Sequence, residues 1–145
     1  MKSVHHPTDP RLVHVENIRV RYGDTDQMGV VYYANYLRWF EVARAEWLRA
    51  HGITYREIEA MGVKFPVTEA HIHYRSSARY DDLVQLECWP SHVRGVSLRF
   101  EYRILRDGEL LADGYSGHAC LDDGGRLRRF PPEVRAMFVG GEAVE

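Results

Sequence analysis

Tyr22-Gly23-Asp24-Thr25-Asp26-Gln27-Met28-Gly29-Val30-Val31-Tyr32-Tyr33-Ala34-Asn35-Tyr36 decides how this chain folds. A strand-like run, Ile18-Arg19-Val20-Arg21-Tyr22, leads into it, and an apolar, Trp-rich segment follows as far as His51-Gly52. The stretch is therefore a loop bounded by Gly23 and Gly29 that carries Asp24 and Asp26 and feeds a helix N-terminus. The first turn of a helix has unpaired N–H groups and a partial positive charge. A carboxylate beside such donors stays ionised near neutral pH, and the same donors can polarise a carbonyl. That combination suits acyl transfer. The same pattern also has a purely local use, because Asp in such a loop forms Asx turns and caps helices.

Downstream, a helix is expected from about Ala34 to His51, stopped by Gly52. At 100° per residue Tyr36, Trp39, Phe40, Ala43, Trp47 and Ala50 share one face, and Asn35, Arg38, Glu41 and Arg49 the other. Leu37 and Leu48 widen the apolar arc, so most of this helix should be covered. Arg44 lies inside that arc and needs a partner or a route to water. Upstream, Ile18, Val20 and Tyr22 alternate with Arg19 and Arg21, a half-buried strand beginning near His14.

Beyond the helix, Thr54 and Glu57 have the spacing of a capping box for a short helix that Gly62 ends. The remainder reads as antiparallel sheet. Ala70, Ile72 and Tyr74 alternate with Glu69, His71, His73 and Arg75, and Leu83–Trp89 is a more buried run. Leu98, Phe100, Tyr102 and Ile104 alternate with Arg99, Glu101 and Arg103 before the hairpin signal Asp107-Gly108. Leu111, Tyr115, Ala119 and Leu121 continue the sheet to a turn at residues 122–125, and Pro131-Pro132 opens a closing helix, Glu133–Phe138. The order predicts an α+β domain over residues 14–138, a curved antiparallel sheet around a central helix, with tails at 1–13 and 139–145.

The bulk numbers fit one domain: 145 residues, 45% hydrophobic, 28% charged, net charge −2. That balance argues against a nucleic-acid or membrane partner. Residues 1–12 have no signal-peptide core, no stretch approaches a membrane span, and a cytoplasmic protein is expected. Cys88 and Cys120 form no disulfide framework and lie in predicted strands as core. No G-x-S-x-G elbow is present, which argues against a serine acyl-enzyme. His71, His73 and Glu69 share a strand face, with His118 as a conceivable third imidazole, but a polar sheet face is the simpler reading. No metal and no cofactor are expected.

Residues 21–26, then Gly29-Val30-Val31-Tyr32, then Asn35-Tyr36 resemble the signature of hotdog-fold acyl-CoA thioesterases. The likeness is to the branch of 4-hydroxybenzoyl-CoA thioesterase and the Tol-Pal-associated short-chain acyl-CoA thioesterases, and covers roughly residues 15–135. It implies the hotdog fold, an acyl-CoA substrate, and Asp26 as the catalytic carboxylate, either nucleophile or general base. It also implies that the Tyr33 backbone N–H polarises the thioester carbonyl. Gly29 matches the small residue beside the acyl group, Val30 falls with it at the substrate, and Asn35 holds the loop against the helix. One residue departs: the short-chain branch usually has His where this chain has Tyr33. A His-assisted step is not expected there, and an aromatic or broader acyl specificity gains weight.

The resemblance further implies that basic residues take the CoA tail, for which Arg94 with Ser97, and Arg128 and Arg129 within the run 126–129, are the candidates. It implies a homo-oligomer, a dimer or homotetramer, with active sites at the dimer interface. Two other readings stay open: a hotdog dehydratase acting on an acyl thioester, and a non-catalytic acyl-CoA-binding module. The dehydratase chemistry calls for a His–acid pair, and the D-x-D loop supplies no His.

Overall fold

Helix α1, Asn35–Ala50, is the centre of the computed structural model, which describes residues 10–140 of the chain. Tyr36, Trp39, Phe40, Ala43, Trp47 and Leu48 are buried, the three- and four-residue spacing that gathers side chains into one stripe. Gly52, at φ +91°, takes the left-handed conformation that turns the chain away. Arg44 finds its partner in Tyr102, donating from Nη1 to Oη at 3.1 Å. Two predicted members of the apolar arc are exposed instead: Ala50 lies in the last turn, beyond the core, and Leu37 is 44% exposed. Leu37 stands one turn after the exposed Tyr33, on a side of the helix that none of the described residues covers fully.

Around α1 wraps one antiparallel sheet in the order β1-β3-β4-β5-β2. Its strands are β1 His14–Arg19, β2 Val67–Tyr74, β3 Leu83–Ser91, β4 Ser97–Arg106 and β5 Glu109–Ala119. Leu98, Phe100, Tyr102 and Ile104 of β4 point inward as the alternation requires, all at most 3% exposed, and Phe40 stacks on Tyr102 with ring centroids 3.8 Å apart. Asp107 and Gly108 both have positive φ (49° and 82°), the turn whose twist suits a tight hairpin between β4 and β5. Gly114 of β5 admits no side chain, because a Cβ there would lie 2.0 Å from the His71 carbonyl oxygen of β2.

Helix α2, Tyr55–Ala60, begins with the expected Thr54–Glu57 capping box, and α3, Pro132–Phe138, buries Val134 and Phe138 against the end of the core. Strand β1 is shorter than its alternation suggests. Val20 is fully buried, but Tyr22 swings outward, 79% exposed, into a 3₁₀ turn, Tyr22–Asp24, where its ring meets Tyr80 edge-on. Of the predicted N-terminal tail, residues 1–9 lie outside the described residues, as do 141–145 of the C-terminal one. Leu12 is tied down: its carbonyl accepts from Trp47 Nε1 at 2.7 Å. Strand β2 is an edge, and its predicted inner face is thinly covered: Ala70 is exposed and Tyr74 is 43% exposed. Among the described residues no helix is long and apolar enough to cross a membrane.

Candidate active site

The loop between β1 and α1 hangs on Asp24. That residue is 3% exposed, and its carboxylate accepts from Arg21 N–H at 2.8 Å and from Arg38 Nη2 at 2.7 Å. Its carbonyl accepts from Tyr32 N–H at 2.9 Å and from Asn35 Nδ2 at 2.8 Å. Both ends of the loop and the start of α1 are thus tied to one residue, and Asn35 makes the loop-to-helix bond. Asp24 spends its oxygens on the scaffold.

Asp26 is held differently. The turn closes through Asp26 N–H to Val30 O at 2.9 Å and Gly29 N–H to Asp26 O at 3.0 Å. Gly29 has φ +79°, which a side chain would strain. Met28 N–H donates to Asp26 Oδ1 at 2.9 Å, an Asx turn that fixes the carboxylate. Oδ2 has no hydrogen-bond partner among the described residues.

A pocket of about 260 Å³ opens beside this carboxylate, lined by Asp26, Val30, Tyr33, Tyr36 and Tyr74 among others. Tyr33 sits at the entrance of α1, and its N–H donates to no backbone carbonyl among the described residues. Its carbonyl is engaged: Tyr74 Oη donates to it at 2.9 Å. The Tyr32 and Tyr33 rings lie 4.8 Å apart, and Tyr33 first, with the Asp26 charge last, holds the Tyr32 phenol above its ordinary range. Asp26 and Tyr33 therefore line one cleft, and a carboxylate beside a helix entrance is the kind of pairing that attack on a carbonyl uses.

The remaining candidates lie elsewhere. Arg94 and Ser97 come together, Arg94 N–H donating to Ser97 O at 2.8 Å, and line a second groove of about 260 Å³ with Thr68, Glu69 and Arg99. Arg129 lies over Gly95 of the same loop, its Nη1 3.2 Å from where a Cβ would be. Arg128 turns back on its neighbour, donating from Nε to Arg129 O at 2.9 Å. None of the four lines the Asp26 pocket of its own chain. The two clefts adjoin opposite ends of β2, Thr68-Glu69 in one and Tyr74 in the other.

His118 does not join His71 and His73. It lies on the inner face of β5, 3% exposed, while His71 stacks on Tyr115 on the outer face. Cys88 and Cys120 are buried, and burial pushes both thiols above their usual range, away from nucleophilic service. Sequence reasoning passed over Tyr74 as a site residue. Its alternation marked it only as inward-facing, and nothing local announces that β2 ends beside the loop.

The thioesterase-like superfamily pattern matches residues 20–138. The chain belongs to that superfamily. Over 124 residues it is 40% identical to the acyl-CoA thioesterase YbgC of Haemophilus influenzae, covering 83% of this chain and 90% of the relative. Among solved structures a DHNA-CoA thioesterase from Staphylococcus aureus superposes with a TM-score of 0.79 at 30% identity, covering 92% of this chain and 97% of that one. A variant of 4-hydroxybenzoyl-CoA thioesterase, complexed with 4-hydroxybenzoyl-CoA, shares the fold at a TM-score of 0.80 and 19% identity, covering 88% of this chain and 99% of that one. The α+β hotdog architecture expected of a superfamily member is the one present here.

Proposed function

We propose that the protein is an acyl-CoA thioesterase that hydrolyses a short-chain or aromatic acyl-CoA to the free acid and CoA, with Asp26 and the Tyr33 N–H as its working groups. The observation that carries this reading is that the Asp26 carboxylate lines one pocket with Tyr33, with Oδ2 and the Tyr33 N–H both without a hydrogen-bond partner among the described residues. In this reading the N–H takes the thioester oxygen as negative charge grows on it. Asp26 either attacks the carbonyl, giving an anhydride that water opens, or draws the proton from an attacking water. Thiolate leaves readily, so no stronger acid is needed. Gly29 and Val30 shape the near wall.

Strand β2 supports a homo-oligomeric reading. It is an exposed edge, and Met28 and Tyr33 stand exposed beside Tyr74 at its far end. Thr68 to Tyr74 spans about 20 Å of extended chain. Antiparallel pairing of two β2 edges brings the Arg94–Ser97 groove of one copy beside the Asp26 pocket of the other. Arg94, Ser97, Arg128 and Arg129 then hold the CoA phosphates in trans, as guanidiniums do. A dimer suffices, a homotetramer pairs two of them, and a cytoplasmic location goes with the substrate.

The test is thiol release from short-chain, long-chain and aromatic acyl-CoAs by wild type and Asp26→Asn. Wild-type hydrolysis with a loss of roughly a thousandfold or more in the variant supports the reading. Equal rates remove Asp26 from the chemistry, and no hydrolysis at all leaves a binding module.

A further inference from the structure

A larger cavity, about 350 Å³, lies between α1, α2 and the inner face of β4 and β5. Its walls are Ala45, Leu48, Tyr55, Phe65 and Phe100, and none of its lining residues lines the Asp26 pocket. His118 is its one residue in common with the Arg94 groove. Into this apolar space faces the half-buried guanidinium of Arg44.

Arg44 is held there by an array whose donors can be ordered. His118 Nδ1 lies 3.2 Å from Phe65 O, which can only accept, so Nδ1 carries the proton. Burial first, then the Arg44 charge, pull the His118 pKa down to about 4, leaving Nε2 bare at neutral pH. Nε2 must therefore accept from Ser116 Oγ at 2.8 Å, and Ser116 from Tyr102 Oη at 2.6 Å. Tyr102 keeps a lone pair for Arg44 Nη1 at 3.1 Å. Every link has one direction, and the guanidinium is fixed before any ligand arrives.

Among the described residues that bond to an uncharged phenol is the only hydrogen bond Arg44 makes, and it forms no ion pair with a carboxylate. Arg44 itself lines the cavity, with donors to spare beyond that bond. We propose that this cavity binds a free organic acid, a carboxylate on a compact apolar body, with the carboxylate on Arg44. A guanidinium in apolar surroundings recognises a carboxylate through paired N–H bonds, and the low-polarity walls strengthen the attraction. Glu41, exposed at the rim, adds a negative charge that turns away dianions such as phosphate esters. The site stands independently of the catalytic reading of Asp26.

Calorimetric titration of the intact protein with hexanoate and phenylacetate, against hexanamide and phenylacetamide, tests it. The acids bind and the amides bind at least about tenfold more weakly. Arg44→Gln weakens acid binding by about tenfold or more, and Glu41→Gln tightens it roughly two- to threefold by removing a like charge. Ala45→Phe fills the cavity with Arg44 in place and abolishes binding, so the outcome does not hang on how well Arg44→Gln folds. Equal binding of acid and amide, binding that survives Ala45→Phe, or no binding to wild type overturns the proposal. So does acid binding that responds to Asp26→Asn and not to Arg44→Gln, which puts the acid in the other pocket.

Discussion

Tyr74 at the end of β2 donates its hydroxyl to the carbonyl oxygen of Tyr33 at 2.9 Å, fastening the open edge of the sheet to the entrance of α1. Burial, with the Tyr36 and Tyr33 phenols adding to it, raises the Tyr74 pKa, so the hydroxyl remains a donor across the working range of pH. The bond fixes the peptide that follows the Tyr33 N–H and so the pose of the helix entrance. Tyr74→Phe should lower kcat about tenfold while leaving the melting temperature within a few degrees of wild type, since a half-exposed hydrogen bond contributes only about 1 kcal/mol. Steady-state kinetics beside thermal denaturation check it. An unchanged kcat means that the entrance holds its pose without Tyr74.

Gly29 turns the loop at φ +79°, with nothing but Arg79 Nη1, at 3.9 Å, near where a Cβ would go. The cost of Gly29→Ala is therefore backbone strain rather than a clash, about 1 kcal/mol. Because the same turn sets the Asp26 carboxylate, activity should fall together with stability. Gly23 has no positive φ and open space around it, so Gly23→Ala is the matched control that should change neither. Equal melting temperatures for the two variants would contradict the strain argument.

Arg38 is half exposed, yet it is the partner of a carboxylate with only 4% of its side chain exposed. Arg38→Ala leaves the Asp24 carboxylate with the Arg21 N–H alone and should cost about 1–2 kcal/mol in urea denaturation. Asp24→Asn, Arg38→Ala together should cost less than the sum of the two, the signature of a shared contact.

The helix, the hairpin at Asp107-Gly108 and the inward face of β4 were legible because each is a local pattern: a 3.6-residue stripe, a turn pair, a two-residue alternation. The loop was legible for another reason, since Asp24, Asp26, Gly29 and Asn35 all serve one short turn. What stayed hidden depends on contacts far apart in sequence. Tyr74 reaches Tyr33 across 41 residues, and Arg44 meets Tyr102 across 58. Arg44 did announce itself as a charge within an apolar arc, but the spacing along a helix does not say which strand supplies its partner. Leu37 and Ala70 fall into apolar sets by periodicity, which reports which residues are alike, while their exposure depends on which edge of the sheet lies open.

His118 makes stability depend on pH. Its pKa is near 4 in the folded chain against an ordinary 6.5. Above 6.5 both states hold it neutral and pH has no effect through this group. As pH falls from 6.5 towards 4 the unfolded chain takes up a proton that the folded chain refuses, and stability drops by about 1.4 kcal/mol per pH unit, about 3 kcal/mol in all. Other groups titrate in the same window, so the comparison is with His118→Gln. Denaturant unfolding at pH 7.5, 6.0 and 5.0 should show a shallower decline in the variant, and parallel curves would mean that His118 takes its proton without unfolding.

The placement of Arg94 and Asp26 at opposite ends of β2 gives the trans-site reading a sharp consequence. Asp26→Asn and Arg94→Ala should each lower kcat/KM alone, the first through chemistry and the second through KM for the CoA thioester. Refolded together in equal amounts, half of the dimers are mixed, and each mixed dimer holds one pocket with an intact Asp26 facing an intact Arg94 groove. Activity at low substrate should recover to about one quarter of wild type, whereas mixing the folded variants without exchange of subunits should recover none. Were both residues drawn from the same chain, every pocket in the mixed dimer would lack one of them, and refolding together would give only the mean of the two defective enzymes.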